Sequence, residues 1–281
     1  MTMAYKAIMV DAGSGLEAEG RVTLAAGLSA RFGARLIGLA ACGVRSPVSP
    51  PLGASAMATG VIDVDMERVA AMLQSAEDRF RRAAGAAAGV AEWRSFLEYP
   101  GDALAREARA ADLIVTGRDG GLRPSGLQRS GGPGDVLMRA GRPVLLVPPG
   151  TATLEARHVL VAWRESREAR RAVADALPFL VRAEQVVVLE VCGNRDDQTQ
   201  ARRHVGDVAR LLSLHGARAM GKVTAGGGRN RAADILDAAG QLGADLVIAG
   251  GYGHSRLLEW AFGGATRSLL AAAPTCCLMS H

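Results

Sequence analysis

The residues of this chain whose types and spacing best suit chemistry are glycines. Gly250 and Gly253 stand three apart, nine residues follow, and then come Gly263, Gly264, Ala265 and Thr266. The pattern begins where an apolar run, Leu246-Val247-Ile248-Ala249, ends, and it closes where a helix-forming run begins. Glycine lets bare backbone approach a ligand. A helix start offers unpaired N–H groups and the positive end of its dipole, which suits phosphate. Thr266 adds a hydroxyl on that first turn, and His254 stands inside the loop, facing either phosphate or solvent. In a chain with 35 glycines the spacing alone is weakly specific, and its place between strand and helix is what makes it informative.

The pattern has an eroded twin. Ala111-Asp112-Leu113-Ile114-Val115-Thr116-Gly117 is echoed 133 residues on by Ala244-Asp245-Leu246-Val247-Ile248-Ala249-Gly250. The same displacement carries Gly120 onto Gly253, Gly131 onto Gly264 and Leu145 onto Leu278. Repetition on this scale means two copies of one domain. In the first copy Ser130 replaces the third glycine, and Pro133 stands where Thr266 stands, supplying neither hydroxyl nor N–H. Ser130-Gly131-Gly132-Pro133-Gly134-Asp135 bears a likeness to the S-G-G-x-D-S loop of ATP-using ligases. That loop belongs after a first strand, so this reading is rejected.

Around these residues each half alternates apolar strands with helical segments. The first half predicts strands at 7–10, 36–41, 93–98, 113–116 and 144–147, with helices to about 32 from a Ser14-x-x-Glu17 capping box, at 63–87, 102–110 and 134–140. The second predicts strands at 159–163, 186–191, 217–224, 246–249 and 275–279, and helices at 167–181, 198–215, 232–242 and 265–272. Such alternation specifies parallel sheets with right-handed crossovers. Runs such as Val186-Val187-Val188-Leu189 fit a sheet covered on both faces. The linker, 148–154, is rich in Pro, Gly and Thr, and divides the chain into domains at 1–148 and 155–281. A Pro-, Ser- and Gly-rich stretch at 45–60 has no counterpart in the second half and reads as a long loop.

Composition narrows the function classes. The net charge is +5, but the basic residues are dispersed arginines among acids, so nucleic acid is not the expected partner. No stretch is apolar enough for a membrane span, and no secretory leader is read, so a cytoplasmic location is expected. The four cysteines, Cys42, Cys192, Cys276 and Cys277, form no C-x-x-C pair. Cys276 and Cys277 are expected on opposite faces of a strand as small hydrophobes. Cys42 and Cys192 occupy matching places, fit for packing or a redox role. Trp163 reads as a packing group, and the five histidines show no metal spacing.

The run from Ala244 through His254-Ser255 to Gly263-Gly264-Ala265-Thr266, with Ala273-Pro274 beyond, resembles the C-terminal signature of the universal stress protein family, G-x2-G-x9-G-[S/T]. Val159-Leu160-Val161-Ala162-Trp163 is similar to that family's first strand, and the resemblance extends across both halves. It implies two tandem open parallel five-stranded α/β sheets with helices on both faces (adenine nucleotide α-hydrolase-like), related by an internal pseudo-twofold. In some members this loop holds ATP, and others bind no nucleotide. Carried over by position, Gly250, Gly253, Gly263 and Gly264 would face phosphates and ribose, Thr266 would lie near the phosphates, and Ala162 and Val191 would flank the base. Two departures stand out: Gly264 replaces the motif's Ser/Thr, and Arg164 replaces the acid that follows strand one, an acid Asp11 keeps in the first half.

The expectation is therefore a stress-response binding or signalling protein that takes ATP or a related adenine nucleotide in its second domain. The metal is left open, and no catalytic set accompanies the loop. A nucleotide-free interaction protein and a slow ATP hydrolase are the alternatives. The fifth strands, 144–147 and 275–279, would be uncharged sheet edges, which explains an internal pseudo-dimer that pairs them. A homodimer and an unidentified protein partner are compatible with this reading.

Overall fold

A computed structural model of the chain describes residues 4–13, 17–43, 55–87, 90–118, 132–193, 197–226, 231–251 and 273–281, with 55–65 described by backbone alone. Ten strands form one sheet: β1 (Ala7–Asp11), β2 (Arg35–Ala41), β3 (Glu92–Phe96), β4 (Leu113–Gly117), β5 (Val144–Val147), β6 (His158–Trp163), β7 (Gln185–Cys192), β8 (Ala219–Ala225), β9 (Leu246–Gly250) and β10 (Cys276–Ser280). Their order across the sheet is 3-2-1-4-5-10-9-6-7-8. Every pairing is parallel except that of β5 with β10.

The order is a palindrome, because the two copies meet through their equivalent last strands. Leu145 faces Leu278 across the antiparallel pair, and these two residues are each other's counterparts in the repeat, so the pseudo-twofold passes between them. Strands β5 and β10 thereby cease to be edges. Each would otherwise expose a row of unpaired N–H and C=O groups on a wholly apolar strand.

Eight α-helices cover the sheet among the described residues: α1 (Ala18–Phe32), α2 (Ser55–Ala84), α3 (Pro100–Glu107), α4 (Pro133–Arg139), α5 (Arg167–Asp175), α6 (Leu177–Leu180), α7 (Gln198–Leu214) and α8 (Arg231–Leu242). Side chains alternate across a strand, so Val144-Leu145-Leu146-Val147 feeds two cores in turn. One core lies under α1, α2, α5, α6 and α7 and holds Ile8, Leu28, Phe80, Leu145, Phe179 and Leu278. The other lies under α3, α4 and α8 and holds Met9, Leu104, Leu137, Leu146, Val247 and Met279. Cys276 joins the first and Cys277 the second, as strand alternation demands. Burial pushes both thiols up to about 12.

Three local readings need correction. The 45–60 loop is shorter, because α2 already runs from Ser55. The Pro-Gly punctuation stops at Gly53, and one glycine at position 60 costs a helix only about 1 kcal/mol. The helix expected over 167–181 breaks at Ala176, since Pro178 lacks the N–H to continue α5 and instead opens α6. The helix expected to open at Ser14, which lies outside the described residues, starts at Ala18 with Glu17 as its N-cap residue, and the Glu17 carboxylate has a partner elsewhere. It accepts the N–H of Gly150 in the linker at 2.8 Å.

The two halves also share a seam on the first face. Tyr5 and Phe179 each pack on the Phe32 ring, at 5.2 Å from Tyr5 and 5.2 Å from Phe179, both edge-on. The Tyr5 hydroxyl donates to the Asp175 carbonyl at 2.6 Å. Helix α1 is thus fastened at both ends: Glu17 holds the linker, and Arg31 donates to the Glu155 carbonyl at 2.5 Å.

Candidate functional site

Open parallel sheets take ligands beyond the carboxyl ends of strands, where the strand order reverses. The order reverses twice here, between β1 and β4 and between β6 and β9. Two equivalent crevices result, one in each half.

In the second crevice β9 ends at Gly250, beside β6. Ala162 and Val191, the next-to-last residues of β6 and β7, lie on the second face, half-buried against its core. They therefore sit on the same face at the same end of neighbouring strands. Gly253, His254, Gly263, Gly264, Ala265 and Thr266 lie outside the described residues. Gly250 already has a packing reason to be glycine. A Cβ there would stand 2.6 Å from the Ala169 nitrogen and 2.7 Å from the Glu168 carbonyl carbon. Helix α5 leans its first turn directly on the strand end.

That first turn is well finished. Ser166 is its N-cap, and the hydroxyl accepts the Ala169 N–H at 3.2 Å. Glu168 is only 4% exposed and faces Gly250. Burial pushes its pKa up. The hydrogen bonds from Arg167 at 2.5 Å, from its own backbone N–H and from Ser166 outweigh that and hold it below the usual carboxylate range. Arg164 points to exposed surface. Trp163 is buried, and its indole nitrogen has no partner among the described residues. On the same face Glu190 meets His204 of α7 at 3.3 Å. Cys192, closing β7, is buried, and desolvation raises its pKa, which keeps it a thiol. Among the described residues no group of three or more His, Cys, Asp or Glu is placed to hold a metal, and no helix is long and apolar enough to cross a membrane.

The first crevice is finished differently. The Asp11 carboxylate, at the end of β1, accepts from the Thr116 hydroxyl at 3.2 Å and from the Gly13 N–H at 3.1 Å. Arg21 reaches it from α1. Its Nε donates to the Asp11 carbonyl at 2.7 Å, and Nη2 lies 3.4 Å from Oδ2. Its Nη1 would be 2.5 Å from a Cβ at Gly117, so Gly117 is bare because a guanidinium needs the room. Arg21 is 8% exposed. Helix α4 starts at Pro133, as the sequence implied, with Gly132 before it giving no side-chain cap.

The ladders correct one assignment. Ile8 faces Leu113 as Val159 faces Leu246, so Asp11 is the counterpart of Ala162, not of Arg164. The same ladders make Ala41 the counterpart of Val191 and Cys42 that of Cys192. Sequence reasoning missed Arg21 and Glu168 altogether. Each faces the glycine that ends the fourth strand, and each precedes buried apolar residues at the next and fourth positions: Val22 and Ala25, Ala169 and Ala172. The signal was there, a charged residue inside an apolar helical stripe.

No family model and no curated protein matches the chain. Solved structures do. A universal stress protein of Archaeoglobus fulgidus is similar over 97% of this chain and 95% of its own, with TM-score 0.68 and 13% identity. A Pseudomonas aeruginosa protein described as a candidate universal stress protein is similar over 99% and 93%, with TM-score 0.56 and 16% identity. Another from P. aeruginosa, of unknown function, gives TM-score 0.57 at 16% identity over 99% and 92%. The likeness spans both halves in each case. The chain has the universal stress protein fold, an α/β fold of the adenine nucleotide α-hydrolase-like class, set out here as one ten-stranded sheet.

Proposed function

We propose that the chain is a tandem universal stress protein, with domains at 1–148 and 155–281, that binds an adenine nucleotide at its second crevice. Its role is stress-response binding or signalling. The observation that supports this most is the position of Gly250. It opens the glycine pattern at the carboxyl end of β9, at the reversal beside β6 where this class of sheet takes ligands. The remainder of the pattern, Gly253, Gly263, Gly264 and Thr266, would then supply bare backbone, N–H groups and a hydroxyl to phosphates. Ala162 and Val191 would flank the base. ATP is the expected ligand, and the cytoplasm the expected compartment.

Mass spectrometry of ligand released from the purified protein, followed by calorimetry with ATP, tests this. Gly263→Asp should abolish binding, because a side chain and a negative charge would enter the phosphate path. Unchanged ATP affinity in that variant, or no nucleotide bound by the native protein, overturns the reading. A second reading, a nucleotide-free interaction protein, is favoured by one observation. The first crevice already holds a side chain of the chain itself.

A further inference from the structure

We infer that Arg21 is a tethered occupant of the first crevice, and that the site it fills is built for a small planar cation. Among the described residues, the groups that meet the guanidinium are all acceptors or bare backbone. They are the Asp11 carbonyl at 2.7 Å, the Asp11 carboxylate at 3.4 Å and the unsubstituted Gly117. The carboxylate is itself held in place, by Thr116 at 3.2 Å and by the Gly13 N–H at 3.1 Å, so it does not turn away. A guanidinium fits such a set through its flat fork of donors.

The occupant is fixed rather than swinging. Arg21 sits one turn into α1, and that helix is fastened to the linker by Glu17 on Gly150 and by Arg31 on Glu155, while Phe32 is packed between Tyr5 and Phe179. A Cβ at Gly20 would lie 3.3 Å from the Thr151 carbonyl oxygen, so the helix also rests against the linker backbone. At the equivalent place in the second crevice it is the backbone of α5, the Ala169 nitrogen and the Glu168 carbonyl carbon, that meets Gly250. The two crevices of one repeated fold are thus filled differently. The first is closed from within by a cation, which adds a reason beyond Pro133 and Ser130 for it to take no nucleotide.

Removing the occupant should open the site. In Arg21→Ala the groups left behind are the Asp11 carboxylate, its carbonyl and the Thr116 hydroxyl. The melting temperature of this variant should fall, and millimolar methylguanidinium should restore part of the loss where equal sodium chloride does not. ATP should restore nothing at this site. A second readout does not depend on rescue. Thr116, 5% exposed, is replaced by cysteine, and its labelling rate by a thiol reagent is followed. The rate should rise about tenfold or more when Arg21→Ala is added to Thr116→Cys, and stay low with Arg21→Lys, which keeps a cation there. Equal labelling with and without Arg21, or rescue by salt as good as by methylguanidinium, overturns the inference. Should Arg21→Ala fail to fold, the Thr116→Cys rate in Arg21→Lys and in Arg21→Met decides, since only loss of the cation should loosen the strand end. The nucleotide proposal is read separately. One ATP per native chain with unchanged labelling sinks this inference alone, and no ATP with accelerated labelling sinks the nucleotide reading alone.

Discussion

The two crevices begin from the same backbone and end with different chemistry. At the end of each fourth strand stands a glycine, Gly117 or Gly250, and in each half the missing Cβ is taken by the helix that follows the first strand. In the first half a side chain arrives, the Arg21 guanidinium, to meet Asp11. In the second half the helix backbone itself arrives, because α5 starts soon after β6 under the Ser166 cap, whereas α1 starts later after β1. A duplicated fold therefore preserves where a ligand would go and leaves open what would be held there. Only the charge and reach of one or two side chains at that point decide it.

The largest effect should come from the axis that makes the halves comparable. Leu145 and Leu278 face one another and both are fully buried. Leu145→Asp and Leu278→Asp should each cost roughly 3–5 kcal/mol, through lost burial and a carboxylate with no partner. Urea titration should show the two variants destabilised alike. Marked inequality would mean that the halves do not share the seam equally.

A smaller effect separates the crevices. Alanine at Gly250 would drive a methyl into the backbone of α5, at 2.6 Å and 2.7 Å from atoms that cannot swing aside. We expect Gly250→Ala to cost about 1–3 kcal/mol. Gly117→Ala meets only the tip of a side chain, so it should cost less in stability while displacing Arg21 from Asp11. Thermal unfolding that ranks Gly117→Ala as the more damaging would reverse the account of which element fills which crevice.

The smallest effect is in acid. The pKa of Glu168 is lowered in the fold, so its contribution is present above the ordinary carboxylate value of 4.5 and is lost as pH falls below it. Glu168→Gln should therefore flatten the acid limb of the stability curve and leave its slope at neutral pH unchanged. An acid limb as steep as that of the native protein would show that Glu168 is not held by Arg167 and Ser166. Glu107, buried among Arg94, Arg106 and Arg109, titrates in the same sense and stays in place as an internal standard.

Much of this architecture is legible in the chain before any folding. The displacement of 133 residues shows two copies of one fold, and the strand order implied by the family the chain resembles leaves the uncharged fifth strands as edges for pairing to cover. Apolar runs place all ten strands to within about two residues, the usual uncertainty of element ends, the third closing at Phe96, two residues before its run suggested. Proline chemistry is local too, so Pro133 could be read at the start of its helix. Everything carried by short-range pattern is thus readable from the residues alone: period, punctuation, repetition and the glycine spacing that nominates the second crevice.

The tertiary structure decided the rest. Asp11 and Arg21 are ten residues apart in the chain, and nothing in their spacing says that a turn will bring one under the other. Arg21 is one of 33 basic residues, and only its burial against Gly117 sets it apart. The equivalence of Asp11 with Ala162 rests on ladder register, which is a property of paired strands and not of either strand alone. Gly250 opens the glycine pattern in the chain, and only the fold shows that α5 also leans on it. Close approach between elements distant in sequence is set by packing, so the occupant of each crevice could only be read once the helices lay on the sheet.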